Sequence, residues 1–170
     1  MRDDLDELFG LFEVEASTTV DAPPETVWDL VTDVTRITEF SPEVVRAEWI
    51  DADGPRPGAK FAGTNRLGEF EWTRICTVVD VDKPRVFSYV VGDRFDGQPS
   101  GTWSFLIEPK EARSILRQRF AHAATGRSGT RLLANQDPDH AEEIIDMRRQ
   151  VLERGMATTL AAIKRVLERG

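Results

Sequence analysis

The sequence is poorest in cysteine, tyrosine and histidine. A single cysteine, Cys76, among 170 residues excludes an internal disulfide and every multi-cysteine metal centre. It lies in an apolar run, where a thiol acts as a small buried hydrophobe rather than as a nucleophile. The two histidines, His122 and His140, fall on different predicted elements with no third ligand in view, so no metal is expected. Basic side chains are outnumbered, 22 against 30 acidic ones, for a formal charge of −8. That balance argues against the basic face needed to grip a phosphate backbone, and no nucleic acid is expected as a partner. No apolar run reaches the length of a membrane span, and Met1 leads into RDDLDELFG, acidic where a secretion signal starts positive. A cytoplasmic protein is the resulting expectation. A Walker-type glycine loop, HExxH, a nucleophile elbow and a dinucleotide fingerprint are all missing, and no cofactor is expected. GRSGT at residues 126–130 lacks the lysine and the strand-to-helix setting of a phosphate loop and reads as an ordinary mobile loop.

What is present is ordinary for one globular domain: 40% hydrophobic and 31% charged residues. Residues 1–10 read as a tail or short helical segment, and 11–170 as the domain. LFEVEASTTV alternates, with Phe12, Val14, Ala16, Thr18 and Val20 on one face, the pattern of a half-buried strand. Pro23 and Pro24 stop strand pairing but suit a helix's first turn. Val27, Leu30, Val31 and Val34 then recur at helical spacing, with Trp28 just off that stripe as an anchor. RITEF predicts a second short helical turn, ended by Ser41-Pro42. Six further strands are expected over 44–51, 59–67, 70–81, 85–91, 101–108 and 113–123, separated by short turns such as DADGPRPG and PKEA. Short linkers between successive strands imply an antiparallel meander.

From Asp137 the period changes again. Asp137 can cap, Pro138 fits a first turn, and Ile145, Leu152, Met156, Leu160, Ile163 and Leu167 return at helical spacing. One long C-terminal helix is predicted, covering the apolar face of a curved seven-stranded sheet. A curled sheet against one helix leaves an interior gap suited to a ligand.

The motifs DAPPETVWDLVTDV, SPEVVRAEWID, PGAKFAGTNRLGEFEWT, PRVFSYVV and GTWSFLIEP, followed by the amphipathic C-terminal helix, resemble the START-like helix-grip superfamily. The likeness is to its branch of polyketide cyclases/dehydrases and lipid transport proteins, and runs from about Leu11 to Arg169. It implies an α+β helix-grip fold: a curved antiparallel sheet of seven strands around a long C-terminal helix, with two short helices between the first and second strands. It also implies a hydrophobic pocket and a small hydrophobic ligand, without specifying a reaction.

Candidate wall residues follow from strand parity. Trp49, Phe61, Trp72, Phe87, Tyr89, Trp103 and Phe105 share the expected concave face, joined by Phe120 and, from the helix, Met156. The polar minority on that face is more informative, because burial without a partner is costly. Asn65 shares parity with Phe61, Gln118 and His122 with Phe120, and Arg74 with Trp72. Asn65 and Gln118 are candidates for orienting a ligand, though either amide can instead satisfy backbone. A bulge would turn Arg74 into a solvated surface residue. If the protein is a cyclase- or dehydratase-type enzyme, Arg74 and Asn65 would stabilise an oxyanion and His122 would move protons. The loop GDRFDGQPSG, with Phe95, and the run ATGRSGTRLLANQD, with Leu132 and Leu133, are candidates for controlling entry. Three readings remain open: a binding protein for a lipid- or polyketide-like molecule, an aromatase/cyclase, and a protein-interaction module. A homodimer is left open as well.

Overall fold

The computed structural model describes residues 2–92 and 99–169. Helix α1 (Arg2–Gly10) precedes strand β1 (Glu13–Val20). Along β1 the alternation holds, with Val14 and Val20 buried while Glu13, Glu15 and Ser17 face water. The two prolines end that strand and open α2 (Pro24–Val31), whose first turn has no use for their missing N–H groups. Val27, Leu30 and Val31 are buried on α2, and Trp28 is buried beside them, its ring edge-on to Phe87. A 3-10 turn over Val34–Glu39 follows, capped where Asp33 Oδ1 accepts the Thr35 N–H at 3.1 Å.

The next six strands form a continuous meander: β2 (Val44–Ile50), β3 (Lys60–Leu67), β4 (Phe70–Asp82), β5 (Val86–Val91), β6 (Gly101–Lys110) and β7 (Arg113–His122). The sheet order is β1-β7-β6-β5-β4-β3-β2, with every neighbour antiparallel. Helix α2 and the 3-10 turn therefore carry the chain from one sheet edge to the other. Register slips between Val44 and Arg46 and between Val78 and Asp80 add local bends.

The C-terminal region departs from expectation in two places. Residues expected to form a mobile loop instead build α3 (Gly129–Gln136), and a 3-10 turn over Pro138–His140 precedes the long helix α4 (Ala141–Glu168). The cause of α3 is tertiary. Ser128 caps it by accepting the Arg131 N–H, and the Arg131 guanidinium is buried, paired with Asp6 of α1 and donating to Ala124 O at 2.7 Å. The loop stretch that carries Phe95 lies outside the described residues.

The core has two parts. One joins α2, the middle strands and the C-terminal half of α4, through residues such as Phe61, Phe87, Leu116, Leu160 and Ile163. The other joins α1, β1, α3 and the first half of α4, through Phe9, Phe12, Phe120, Ile145 and Met156. Among the described residues, no helix is long and apolar enough to cross a membrane. The architecture is the helix-grip arrangement, with α4 held across the hollow of the sheet.

Candidate functional site

A cavity of about 630 Å³ opens between the concave face of the sheet and α4. Strand pairing aligns its aromatic floor. Tyr89 of β5 stands opposite Trp103 of β6, which stands opposite Phe120 of β7, while Phe87, Phe105 and Gln118 form the adjoining row. The rings of Trp103 and Phe120 lie 5.0 Å apart, as do those of Phe61 and Tyr89. Met156, Leu152, Gly155 and Thr159 contribute the helix side, and Val31, Val34 and Ile37 close another flank.

The wall thus gathers Phe61, Asn65, Trp72, Arg74, Phe87, Tyr89, Trp103, Phe105, Gln118, Phe120, His122 and Met156. Trp49 lies outside this wall, packing edge-on against Phe61 at 5.7 Å. The mouth is partly apolar: Leu67 and Phe70 from the β3–β4 hairpin are 66% and 61% exposed, and Leu132 of α3 and Val151 of α4 join them. Leu133 is more exposed still than Leu132 and does not line the cavity.

Two glycines keep the space open. A Cβ added at Gly63 of β3 or at Gly155 of α4 would meet no atom within 4 Å, and both positions border the cavity. A glycine inside an otherwise regular amphipathic helix is visible in the sequence and can mark such a site. Gly155 is therefore a wall position that strand parity alone overlooks, as is the hydroxyl-bearing Thr159 on the same helix face.

The polar groups differ in how far the protein satisfies them. Arg74 Nε and Nη2 both donate to Gly92 O, at 3.0 and 2.7 Å, so this guanidinium is anchored at the wall. Gln118 is 8% exposed, and its Oε1 has no hydrogen-bond partner among the described residues. A buried amide oxygen left unpaired costs about 1–3 kcal/mol. Cys76 and Tyr89 also face the space. Burial pushes the Cys76 thiol up to about 12, and burial likewise raises the Tyr89 phenol, so both are protonated at neutral pH.

His122 is buried at the end of β7, with Phe9 and Phe12 against its ring. Its Nδ1 lies 2.7 Å from Ala123 O, an atom that can only accept, so Nδ1 carries the proton in the neutral ring. Nε2 then accepts from the Ser128 hydroxyl at 2.8 Å. Burial holds the His122 pKa below the ordinary range; the Ala123 carbonyl opposes this and the Arg131 charge adds to it. The ring is neutral at pH 7 and borders the cavity with both nitrogens engaged by the protein. Arg127, Arg148 and Glu43 bring further charges to the wall.

Glu108, on β6, points away from the cavity and lies 3.6 Å from Arg117 Nη2. His140 sits beside Asp137 at the start of the C-terminal helical region, remote from His122 in the element order. Among the described residues, no group of three histidine, cysteine or acidic side chains is placed to hold a metal ion.

Comparison with known proteins agrees with this architecture. A family model described as polyketide cyclase/dehydrase and lipid transport matches residues 12–168. No curated protein matches. Among solved structures, a Polyketide_cyc-like protein from Corynebacterium glutamicum is 31% identical, with 92% of this chain and 91% of that chain covered and a TM-score of 0.66. A protein from Thermus thermophilus shares only 12% identity but superposes over 92% of this chain and 97% of its own, at a TM-score of 0.68. The di-domain ARO/CYC BexL from the BE-7585A biosynthetic pathway is 21% identical over 92% of this chain and 46% of that one, at a TM-score of 0.65.

Proposed function

Because this chain belongs to the polyketide cyclase/dehydrase and lipid transport family, we propose that its cavity takes up a small hydrophobic or aromatic molecule, such as a lipid or polyketide, for transport, storage or sensing. The carrying observation is the cavity itself. Protein interiors close-pack, and a space of about 630 Å³ walled by aromatic rings lies in the size range of small-molecule sites. Glycine at positions 63 and 155 fits the same reading, since at both cavity-lining positions even an added Cβ would meet open space.

Native mass spectrometry of freshly purified protein tests it. A co-purified small molecule, released on unfolding and taken up again on refolding, is the expected result. Protein that carries nothing, and that takes up no apolar probe in equilibrium dialysis, overturns the proposal.

A second reading is favoured by His122: a cyclase- or dehydratase-type enzyme. The His122 Nε2 lone pair is held by the Ser128 hydroxyl, so the pair acts together. Ser128, also on the cavity wall, would take a proton from a carbon flanked by two carbonyls while passing its own to His122. The enolate carbon would then bond to another carbonyl carbon of the same chain, and the alkoxide so formed would recover the proton from His122 through Ser128. Loss of that hydroxyl with the remaining α-hydrogen would form a C=C bond and release water. Arg74 and Asn65 would hold the enolate oxygen. On this reading, His122→Asn abolishes turnover of a poly-β-ketone while leaving its binding intact. Turnover by the variant at the wild-type rate would remove His122 from the mechanism.

A further inference from the structure

The feature that goes furthest is the Gln118 amide. It is 8% exposed, faces the cavity and has an oxygen with no partner among the described residues. We propose that Gln118, with Thr159 on the cavity side of α4, selects ligands that carry an uncharged hydroxyl or carbonyl group. This rests on the ligand-binding reading above and adds which chemistry the cavity prefers.

The placement supports a specific polar contact. On β7, Gln118 stands between Leu116 of one core part and Phe120 of the other, and its cross-strand partners are Ala16 and Phe105. On α4, Thr159 is 6% exposed and stands between Met156 of one part and Ile163 of the other. Sheet and helix thus each bring one neutral polar side chain to the cavity where the two core parts meet. The residues directly flanking Gln118 on its strand face and across both neighbouring strands are apolar.

The chemistry follows from that inventory. An amide offers both a donor and an acceptor, and a threonine hydroxyl offers both as well. A ligand hydroxyl or carbonyl can therefore be satisfied whichever way the amide is turned. A carboxylate or ammonium group cannot, because burying a charge among Ala16, Phe105, Leu116 and Phe120 leaves it desolvated with no counter-charge. Of the cations of the wall, Arg74 is on β4, three strands or about 14 Å across the sheet from β7. Arg148 is three turns, about 16 Å, before Thr159 on α4, and Arg127 follows the end of β7. Sites built to hydrogen-bond a polar group reject the analogue that lacks it, because their own buried polar atoms are then left unpaired.

Equilibrium dialysis of the purified protein with 2-naphthol and with 2-methylnaphthalene isolates this contact, since the two probes differ only in hydroxyl against methyl. The wild-type protein is expected to prefer the naphthol by about tenfold, equivalent to ~1.4 kcal/mol. Gln118→Met, which keeps the length of the side chain, should reduce that preference to about twofold or less while retaining 2-methylnaphthalene. Retention of that apolar probe also reports that the pocket is still formed. Should Gln118→Met bind neither probe, Thr159→Val carries the same comparison from the helix side. Equal affinity of wild-type protein for both probes overturns the inference but leaves ligand binding standing. So does a preference that survives both substitutions. Failure of wild-type protein to bind either probe overturns the ligand-binding reading, and this inference with it.

Discussion

The Ser128 hydroxyl lies 2.8 Å from His122 Nε2, and the same oxygen accepts the Arg131 N–H at 3.1 Å. One side chain thereby ties the end of β7 to the first turn of α3 and fixes the histidine as an acceptor toward Ser128. Protonating His122 removes the lone pair that Ser128 donates to and places a positive ring beside Arg131.

A pH dependence follows. In the unfolded chain His122 titrates at about 6.5, and in the folded protein below that value. Between the two, the unfolded state holds the proton and the folded state does not, so the His122 contribution to stability is lost as pH drops below about 6.5 and is constant above it. Urea midpoints measured at pH 7.5 and 5.5 should drop further for wild-type protein than for His122→Asn. The carboxylates are common to both proteins, so equal drops would show that His122 is not the source.

Asp6→Ala should loosen α1 and α3 together. Arg131 is buried and pairs with Asp6, and its guanidinium also lies 4.8 Å above the Phe9 ring. Because Asp6 is partly solvated, and Ala124 O and Asn135 still bind the arginine, the expected loss is about 1–2 kcal/mol rather than that of a fully buried pair. Chemical denaturation measures it, and an unchanged midpoint would show that the pair contributes nothing.

Filling the cavity should separate stability from binding. Gly63→Val and Gly155→Leu each begin from a Cβ position with no atom within 4 Å and extend toward the cavity. Removing a glycine from a strand or helix interior is worth about 0.5–1 kcal/mol. Both variants are therefore expected to melt at or above the wild-type temperature and to take up less 2-methylnaphthalene. Undiminished uptake by both would mean that the probe binds elsewhere.

Gly101→Ala should have the opposite effect. A Cβ there would fall 2.6 Å from the Phe120 ring and 2.8 Å from Ala121 O, and the second contact is backbone that cannot swing away. Overpacking of this kind costs about 1–3 kcal/mol. Thermal unfolding should show a clear drop in midpoint, with the pocket's probe affinity reduced because Phe120 is displaced from its wall.

Much of the architecture was legible because it rests on local rules. Alternation in LFEVEASTTV and the proline pair after it specify a strand running into a helix, and both form there. Turn residues at regular intervals placed the six later strands within a residue or two of where they lie. The heptad-like returns from Ile145 to Ile163 marked the buried face of α4. Helix α3 escaped because two glycines, Gly126 and Gly129, frame its start like a loop and it runs only eight residues, so the Ser128 cap and the Arg-Leu-Leu-Ala run were outweighed. A buried arginine whose acidic partner stands 125 residues earlier also holds it. Trp49 shows the limit of parity. It lies on the strand paired to Phe61, yet Phe61 is what reaches the cavity.

By itself, the sequence determined periods: which residues alternate, which repeat at helical spacing, where the chain must turn. Those are properties of neighbours along the backbone, and they sufficed for seven strands, the long helix and a mostly aromatic inner face. Only the tertiary structure decided how Gln118, Thr159, His122 and Ser128 share one cavity, and which of them the protein already satisfies. Burial and hydrogen-bond partnership are set by residues distant in the chain, so the unpaired amide and the fixed imidazole emerge only when sheet and helix close on each other.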